Sequence, residues 1–243
     1  AMIWSRRGLY GNNARQTTVD ISCFDLVLEP GELGVEEISE SVVDGVQHIM
    51  VPPVTLLRNQ ELLSRAMARE ALGLKPEGRY VLLSLGPGNL KRVAGIGEAL
   101  MDLLKQHQYE PVWVQAPIST GADAMPESVR TLRVFPLARH MHAFDGFIGA
   151  AGYNTCCELA QAGIPALLVP NEQLADDQPR RANMLTAHGP VVVSGCQDLN
   201  EQTTAIKQLI HLMQHEQASS FQLEATGAEL AAEHILQLAY SHG

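Results

Sequence analysis

The sequence predicts an α/β fold with a doubly wound parallel sheet, and three observations indicate this class. From Tyr80 onward, short apolar runs alternate with longer segments whose apolar residues recur at helical spacing. The runs are nearly continuous, which is typical of strands that are buried on both faces of a parallel sheet. Two of the runs lead into glycine-containing turns, at residues 84–89 and 149–155, and such turns connect strands to helices in these folds.

The predicted elements follow from these runs in chain order. Strands are predicted at residues 24–28, 47–51, 80–85, 111–115, 132–135, 146–149, 166–169 and 191–193. Helices are predicted at about residues 56–72, 93–107, 199–215 and 221–240. A further helix is predicted to begin at Asn154 or Thr155, and another to carry Pro179 in its first turn.

The chain is predicted to consist of two unequal parts. Pro52 and Pro53 follow the second strand and interrupt regular structure, so they mark a linker or a crossover. Residues 1–52 are too few to form a domain alone, whereas residues 53–243 are enough for a complete doubly wound domain. We therefore expect a short N-terminal part, residues 1–52, and a main domain, residues 53–243.

Composition indicates a folded globular chain and argues against several functions. Apolar residues make up 46% of the 243 residues and charged residues only 18%, which is not the composition of a disordered chain. The formal net charge of -10 argues against nucleic acid as a partner. The sequence contains no apolar run of about 18 residues and no visible secretory leader, which predicts a cytoplasmic protein. Its four cysteines lack the paired spacing of a zinc site.

The second glycine turn has the features of an anion-binding site. An apolar run leads to Gly152, and the helix that follows has first-turn N–H groups without acceptors inside the helix. These groups and the helix dipole attract a phosphate group. Thr155 and Glu158 also have the spacing of a capping box, so a purely structural explanation of both residues stays open.

The order of motifs in the main part resembles that of a known enzyme family. The motifs stand in the order Gly152-Tyr-Asn-Thr155, Glu158, Gly163-Ile-Pro165, a strand ending at Pro170, Asp177-Gln178 and Asn183. This order is similar to the nucleotide-sugar half of the GT-B glycosyltransferases, in particular the MurG-like glycosyltransferase family 28, over roughly residues 52–240. The resemblance implies that the main domain is the Rossmann-like C-terminal half of that architecture. It also implies that residues 1–52 are a remnant of the acceptor-side, N-terminal domain.

The resemblance implies that two glycine turns hold the diphosphate of a donor. The residues that would line it are Gly86, Gly88, Asn89, Gly152, Asn154 and Thr155. The first of these turns lacks the dinucleotide fingerprint and the lysine of a P-loop, so neither NAD nor simple nucleoside triphosphate binding is indicated. An ordinary strand-to-helix turn is the alternative explanation for it.

The other donor contacts implied by the resemblance are to the ribose, the sugar and the base. Glu158 would accept hydrogen bonds from both ribose hydroxyls, since a carboxylate offers two oxygens to a vicinal diol. Asp177, Gln178 and Asn183 would bind the sugar hydroxyls, although a polar first helical turn explains these residues as well. Phe135 would belong to the segment that binds the base, and its alternative is a place in the core.

The function that the resemblance implies is that of the donor-binding half of a glycosyltransferase. It would transfer a sugar, N-acetylglucosamine or another hexose, from a UDP-sugar to an acceptor hydroxyl, with no metal or other cofactor. The catalytic base is unknown, and a missing N-terminal domain or a partner chain would bind the acceptor. Peripheral membrane association of the full enzyme stays open. The alternatives are a nucleotide-sugar hydrolase or epimerase of the same fold and a noncatalytic nucleotide-sugar-binding subunit.

Overall fold

The structure, a computed structural model, divides into two compact units. The first comprises Ala1–Leu56, Glu172–Asp177 and Leu223–Gly243, and the second comprises Leu57–Asn171 and Gln178–Gln222. The described residues are 3–5, 20–33, 39–84, 100–115, 129–173, 176–195, 199–215 and 227–241. The contacts thus group the C-terminal residues with the first unit, while the predicted domain division at residue 52 stays a prediction.

The strands and helices are named here in chain order. The strands are β1 (Ile3–Ser5), β2 (Leu26–Pro30), β3 (Glu40–Val43), β4 (Val46–Val51), β5 (Tyr80–Ser84), β6 (Glu110–Gln115), β7 (Arg130–Arg133), β8 (Gly146–Gly149), β9 (Ala166–Leu168), β10 (Glu172–Gln173), β11 (Asp176–Asp177) and β12 (Val191–Val193). The α-helices are α1 (Arg65–Ala71), α2 (Tyr153–Ala162), α3 (Gln178–Thr186), α4 (Leu199–His215) and α5 (Gly227–Ser241). Residues 100–106 are also helical, and short 3₁₀ helices lie at Ile21–Cys23, Asn59–Glu61 and Leu137–Ala143.

The first unit contains a sheet with the strand order β1-β2-β4-β3 among its described residues. Strands β1, β2 and β4 run parallel, and β3 pairs antiparallel with β4 through a two-residue turn. The turn residues Asp44 and Gly45 both have positive φ angles, 50° and 81°, as the tightest hairpin turns require. Helix α5 packs its Leu230 and Leu238 against the buried Ile49 of β4 and its neighbours on this sheet.

The second unit is built on a parallel sheet with the strand order β12-β9-β8-β5-β6-β7 among its described residues. Along the middle strand β5, Val81, Leu82 and Leu83 are each fully buried. Because successive strand side chains point to opposite faces, both faces of β5 must be covered. Val81 and Leu83 share a core cluster with Leu209 of α4 and Leu104 of the helical residues 100–106. The predicted doubly wound α/β class is therefore confirmed.

Where the structure describes them, most predicted elements are confirmed with small shifts, but the helix predicted at residues 56–72 is wrong. That stretch forms a 3₁₀ turn at Asn59–Glu61 and a short α1 that begins only at Arg65. The reason is local, because the hydroxyl of Ser64 accepts a hydrogen bond from the N–H of Met67 and caps α1 there. Strands β8 and β12 and helix α4 have the predicted bounds. Residues 93–99 and 221–226, the first parts of two other predicted helices, lie outside the described residues.

Asp145 joins the amino ends of the two middle strands of the main sheet. Its carboxylate accepts a hydrogen bond from the backbone N–H of Tyr80 at 2.7 Å, and its own N–H donates to the carbonyl oxygen of Tyr80 at 2.8 Å. The same carboxylate also binds the guanidinium groups of Arg65 and Arg69 from α1. The buried Arg69 donates further to the carbonyl oxygens of Ala143 and Pro76. One carboxylate thus fixes α1 to this edge of the sheet.

In the described part of the chain, no helix combines the length and the apolar character that crossing a bilayer requires. The longest of these helices, α4, has an exposed face with charged and polar residues such as Glu201 and Lys207.

Replacing Asp145 by asparagine is expected to lower the free energy of unfolding by about 3 kcal/mol, because it removes the carboxylate shared by Arg65 and the buried Arg69. Chemical denaturation at neutral pH measures this loss. The matched control is Glu110→Gln, which breaks the largely exposed pair with Arg130 at 3.7 Å and should cost less than about 1 kcal/mol. Equal losses in the two variants would contradict a structural role for the Asp145 cluster.

Candidate functional site

The candidate site lies where the strand order of the main sheet reverses. From β5 the sheet extends through β6 and β7 on one side and through β8, β9 and β12 on the other. The last residues of β5 and β8, Ser84 and Gly149, are partners in the register. In open α/β sheets, ligands bind at the carboxyl ends of the strands at this reversal. Gly86, Gly88 and Asn89, predicted to follow β5 as the first glycine turn, lie outside the described residues.

Gly149 must be glycine for β5 and β8 to end side by side. A Cβ atom on Gly149 would lie 2.2 Å from the carbonyl oxygen of Ser84, closer than any real contact. The next residue, Ala150, donates its N–H to the same Ser84 oxygen at 3.2 Å. The N–H of Val169 binds the Gly149 carbonyl at 2.8 Å from the other side. These bonds fix the point at which the chain leaves the sheet toward α2.

Helix α2 begins earlier than the sequence predicts, and the capping-box explanation is wrong. The N-cap is Gly152, whose carbonyl accepts the first helical hydrogen bond from the N–H of Cys156 at 2.9 Å. Thr155 is therefore inside the first turn and cannot cap the helix with Glu158. Among the described residues, no side chain caps the helix at Gly152. The first turn consequently has the arrangement of backbone donors that binds anions at a helix N-terminus.

Neither the backbone nor the packing of the described residues explains a glycine at position 152. Its φ and ψ angles, -65° and 153°, suit any residue. A Cβ there would meet only the Thr155 hydroxyl oxygen, at an ordinary 3.8 Å. By contrast, Gly163 ends α2 with a φ of 62°, which favours glycine. In the described part of the chain, the space beside Gly152 is therefore open to a ligand that approaches the backbone closely.

The three polar residues that the sequence selected on α2 form its accessible face. Asn154 is exposed, Thr155 and Glu158 are half-buried, and every other residue of this helix is buried. Residues three and four positions apart lie on one side of a helix, so Glu158 lies on the same side of α2 as Asn154 and Thr155, one turn further along. The structure therefore brings these three together next to Gly152.

Glu158 occupies an environment that disfavours its charge. Burial raises the pKa of its carboxyl from 4.5 to about 7. Among the residues that the structure describes, no hydrogen-bond donor or cation contacts this carboxylate. A perturbed carboxyl group in this position is typical of ligand-binding sites. It can be stabilised as a carboxylate by hydroxyl donors from a bound ligand.

Arg181 of α3 is a further residue that contacts the turn before α2. It is buried, with only 4% of its surface exposed, while its neighbour Arg180 is exposed. Its guanidinium group donates to the carbonyl oxygen of Ala151 at 3.1 Å and lies over the ring of Tyr153. The burial of Arg181 could have been predicted from the helical periodicity of α3. Arg181 lies three residues after Gln178 and four before Leu185, which are both buried, so all three lie on one face of the helix.

The structure places the three predicted sugar-binding residues in different settings. The buried Gln178 accepts a hydrogen bond from the N–H of Asn171 at 2.9 Å through its side-chain oxygen. Asn183, five residues along α3, is exposed and points away from the Gln178 side of the helix. Asp177 is half-buried on β11, opposite Glu172 of β10, and belongs to the first unit by its contacts. Their binding roles stay predictions.

Phe135 follows β7 at the same carboxyl edge of the parallel sheet. The alternative that Phe135 is a core residue is wrong, because 72% of its surface is exposed. In the 3₁₀ helix Leu137–Ala143 that follows, the ring nitrogens of His142 lie 3.0 Å from the carbonyl oxygen of Leu63 and 3.2 Å from that of Ala162. His142 therefore holds the fold together instead of facing a ligand. Over the described residues no group of three His, Cys, Asp or Glu side chains could hold a metal.

These features define a Rossmann-like α/β domain with a doubly wound parallel sheet, and comparison with known families agrees. The family model of the glycosyltransferase family 28 C-terminal domain matches residues 89–238, more than half of the chain. The chain therefore belongs to this family, and the MurG-like resemblance is confirmed.

Individual relatives are similar over part of their length. The UDP-N-acetylglucosamine--N-acetylmuramyl-(pentapeptide) pyrophosphoryl-undecaprenol N-acetylglucosamine transferase of Bacillus licheniformis is 29% identical over an aligned length of 158 residues. The alignment covers 60% of this chain and 42% of that protein. The structure of spinosyn rhamnosyltransferase SpnG has a TM-score of 0.51 at 18% identity, covering 86% of this chain and 56% of that one, and confirms the fold. MurG of Acinetobacter baumannii has a TM-score of 0.43 at 21% identity, over 80% of this chain and 57% of that one. The chain thus spans about half the length of the proteins it matches.

Replacing Glu158 by glutamine is expected to stabilise the folded protein at about pH 8 by roughly 1–3 kcal/mol, and to change little at about pH 5. The folded carboxyl has a pKa of about 7 against 4.5 for the ordinary group, so the folded state binds the proton more tightly. The stability that wild-type Glu158 contributes therefore falls as pH rises between these two values. Urea denaturation of both proteins at the two pH values tests this, and equal stability at about pH 8 would contradict it.

Proposed function

We propose that this chain is the donor-binding half of a glycosyltransferase that transfers N-acetylglucosamine or another hexose from a UDP-sugar to an acceptor hydroxyl. The observation that carries the proposal is the accessible face of α2, formed by Asn154, Thr155 and Glu158 beside Gly152, at the strand-order reversal of a family 28 domain. The Bacillus licheniformis relative is named as an enzyme that uses UDP-N-acetylglucosamine, which favours that donor.

The proposed binding mode follows from the chemistry of these groups. The diphosphate lies at the N-terminus of α2, where the open side of Gly152 lets it approach the backbone N–H groups. The ribose hydroxyls donate to Glu158, which restores the charge that burial disfavours. Gly86, Gly88 and Asn89 complete the diphosphate loop, and the exposed Phe135 segment binds the base.

The proposed reaction is a displacement at the anomeric carbon of the donor sugar. The acceptor hydroxyl attacks that carbon and loses its proton to a base on the acceptor side, and the bond to the diphosphate oxygen breaks as UDP leaves. The partial positive charge at the N-terminus of α2 stabilises the negative charge that develops on the leaving diphosphate. Of the predicted sugar contacts, Asp177 and Gln178 are proposed to hold the sugar hydroxyls, whereas Asn183 lies on the other side of α3 from Gln178. The helix end takes the role that a metal has in other transferases.

The remaining parts of the proposal concern the acceptor. Residues 1–52 are the end of an acceptor-side domain, and the rest of that domain or a partner chain supplies the acceptor site and the base. A hydrolase or epimerase would release or interconvert sugar from the nucleotide donor without any acceptor. A noncatalytic subunit would bind the donor and leave it unchanged when an acceptor-binding chain is added.

Calorimetric titration tests the proposed donor. We expect UDP to bind at least about tenfold more tightly than dTDP or GDP. We also expect UDP affinity to rise as pH increases from about 6 to about 8, because the carboxylate form of Glu158 accepts the ribose hydroxyls. The control is Glu158→Gln, in which any pH dependence that remains belongs to the nucleotide phosphate itself. A folded wild-type protein without affinity for UDP would overturn the proposal.

Replacing Gly152 by alanine is expected to leave the fold intact and to weaken UDP binding about tenfold or more, because the added methyl group fills the space that the diphosphate needs. The matched control is Gly189→Ala, where a Cβ meets no atom within 4 Å and no change in binding is expected. Thermal melting checks the fold and calorimetry measures binding. Unchanged UDP affinity in the folded Gly152→Ala protein would mean that the diphosphate lies elsewhere.

A further inference from the structure

We propose that Arg181 is a positioning residue for the nucleotide diphosphate, acting through the turn that leads into α2. The inference rests on the proposed function, because it assumes that this turn binds a diphosphate. Arg181 comes from the neighbouring helix α3, and its side chain contacts this turn.

Two contacts place the Arg181 side chain on both sides of the N-cap residue. Its Nη1 donates a hydrogen bond to the carbonyl oxygen of Ala151, 3.1 Å away. The central carbon of its guanidinium group lies 5.7 Å from the centre of the Tyr153 ring, within the range of a cation–π contact. Ala151 and Tyr153 are the two neighbours of Gly152 in the chain. One planar group therefore fixes the residues before and after Gly152.

This arrangement determines where the first N–H groups of α2 point. The sheet side of the turn is held by the bond from the N–H of Ala150 to Ser84. On the helix side no side chain of the described residues caps Gly152, and Arg181 contacts both of its chain neighbours, so we expect Arg181 to contribute to the orientation of this turn. Ala151 and Tyr153 are both buried, which keeps water from competing with the contacts of Arg181.

The chemistry of arginine suits this task better than that of lysine. A guanidinium group is planar and carries several N–H donors in fixed directions, so it can donate to a carbonyl and stack on a ring at the same time. It also stays protonated, which adds a fixed positive charge to the positive end of the α2 dipole. Both effects favour a bound diphosphate and leave contacts to the nucleoside untouched.

The test compares the affinities for uridine and for UDP, measured by calorimetry and, for uridine, by competition against UDP. In Arg181→Met we expect UDP affinity to fall by about tenfold to a hundredfold and uridine affinity to change by less than about threefold. Arg181→Lys should give a smaller loss for UDP with the same selectivity. The matched control is Arg180→Met, whose exposed side chain should leave both affinities unchanged.

Rescue adds a second readout that a general loss of structure would not produce. Adding millimolar ethylguanidinium to Arg181→Ala should restore part of the UDP affinity and leave that of wild type unchanged. If Arg181→Met does not fold, the Arg181→Lys comparison of UDP with uridine decides. Equal losses for uridine and UDP, or no loss at all, would overturn the role of Arg181 while leaving the donor proposal intact. A wild-type protein that does not bind UDP would overturn both.

Discussion

The close approach of β8 to β5 at their carboxyl ends is the constraint on which the candidate site depends. It is possible only because Gly149 has no side chain, so that Ser84 can lie directly beside it. Three residues later Gly152 begins α2. With the strand ends apart, the turn would leave the sheet at another angle, and the N-terminus of α2 would not face the reversal in strand order. The geometry of the turn from Gly149 to Gly152 is thus set by the backbone contact between Gly149 and Ser84.

The glycines of the motif have separate physical causes, although they look alike in the sequence. Gly149 is required by packing against a backbone oxygen, and Gly163 by its left-handed conformation at the end of α2. Gly152 is required by neither. Glu158 is similar, since burial of its carboxyl works against the folded state. Gly152 and Glu158, which the fold itself does not explain, are the residues for which we propose a ligand contact.

Much of the main sheet could be predicted from the sequence because its strands are buried on both faces. Strand β8 and helix α4 have continuous or strictly periodic apolar patterns that leave little choice of bounds. The predicted capping box failed because the start of α2 is set by a contact with another strand, which local spacing does not reveal. The burial of Arg181 likewise depends on how α3 packs. The hairpin turn at Asp44 and Gly45 has a local sequence signal, an Asp-Gly pair between apolar runs.

The cluster around Asp145 has a consequence for how this domain can change over time. It holds the amino edge of the sheet, while the turns proposed to bind the ligand leave from the carboxyl edge. Strand β5 has five residues between these edges, which at about 3.3 Å per residue separates them by roughly 15 Å. Substitutions that far apart usually have additive effects. Residues at the carboxyl edge can therefore change during evolution, and with them the proposed ligand preference, while the Asp145 cluster at the amino edge keeps the domain folded. New specificities can then arise without a variant that fails to fold.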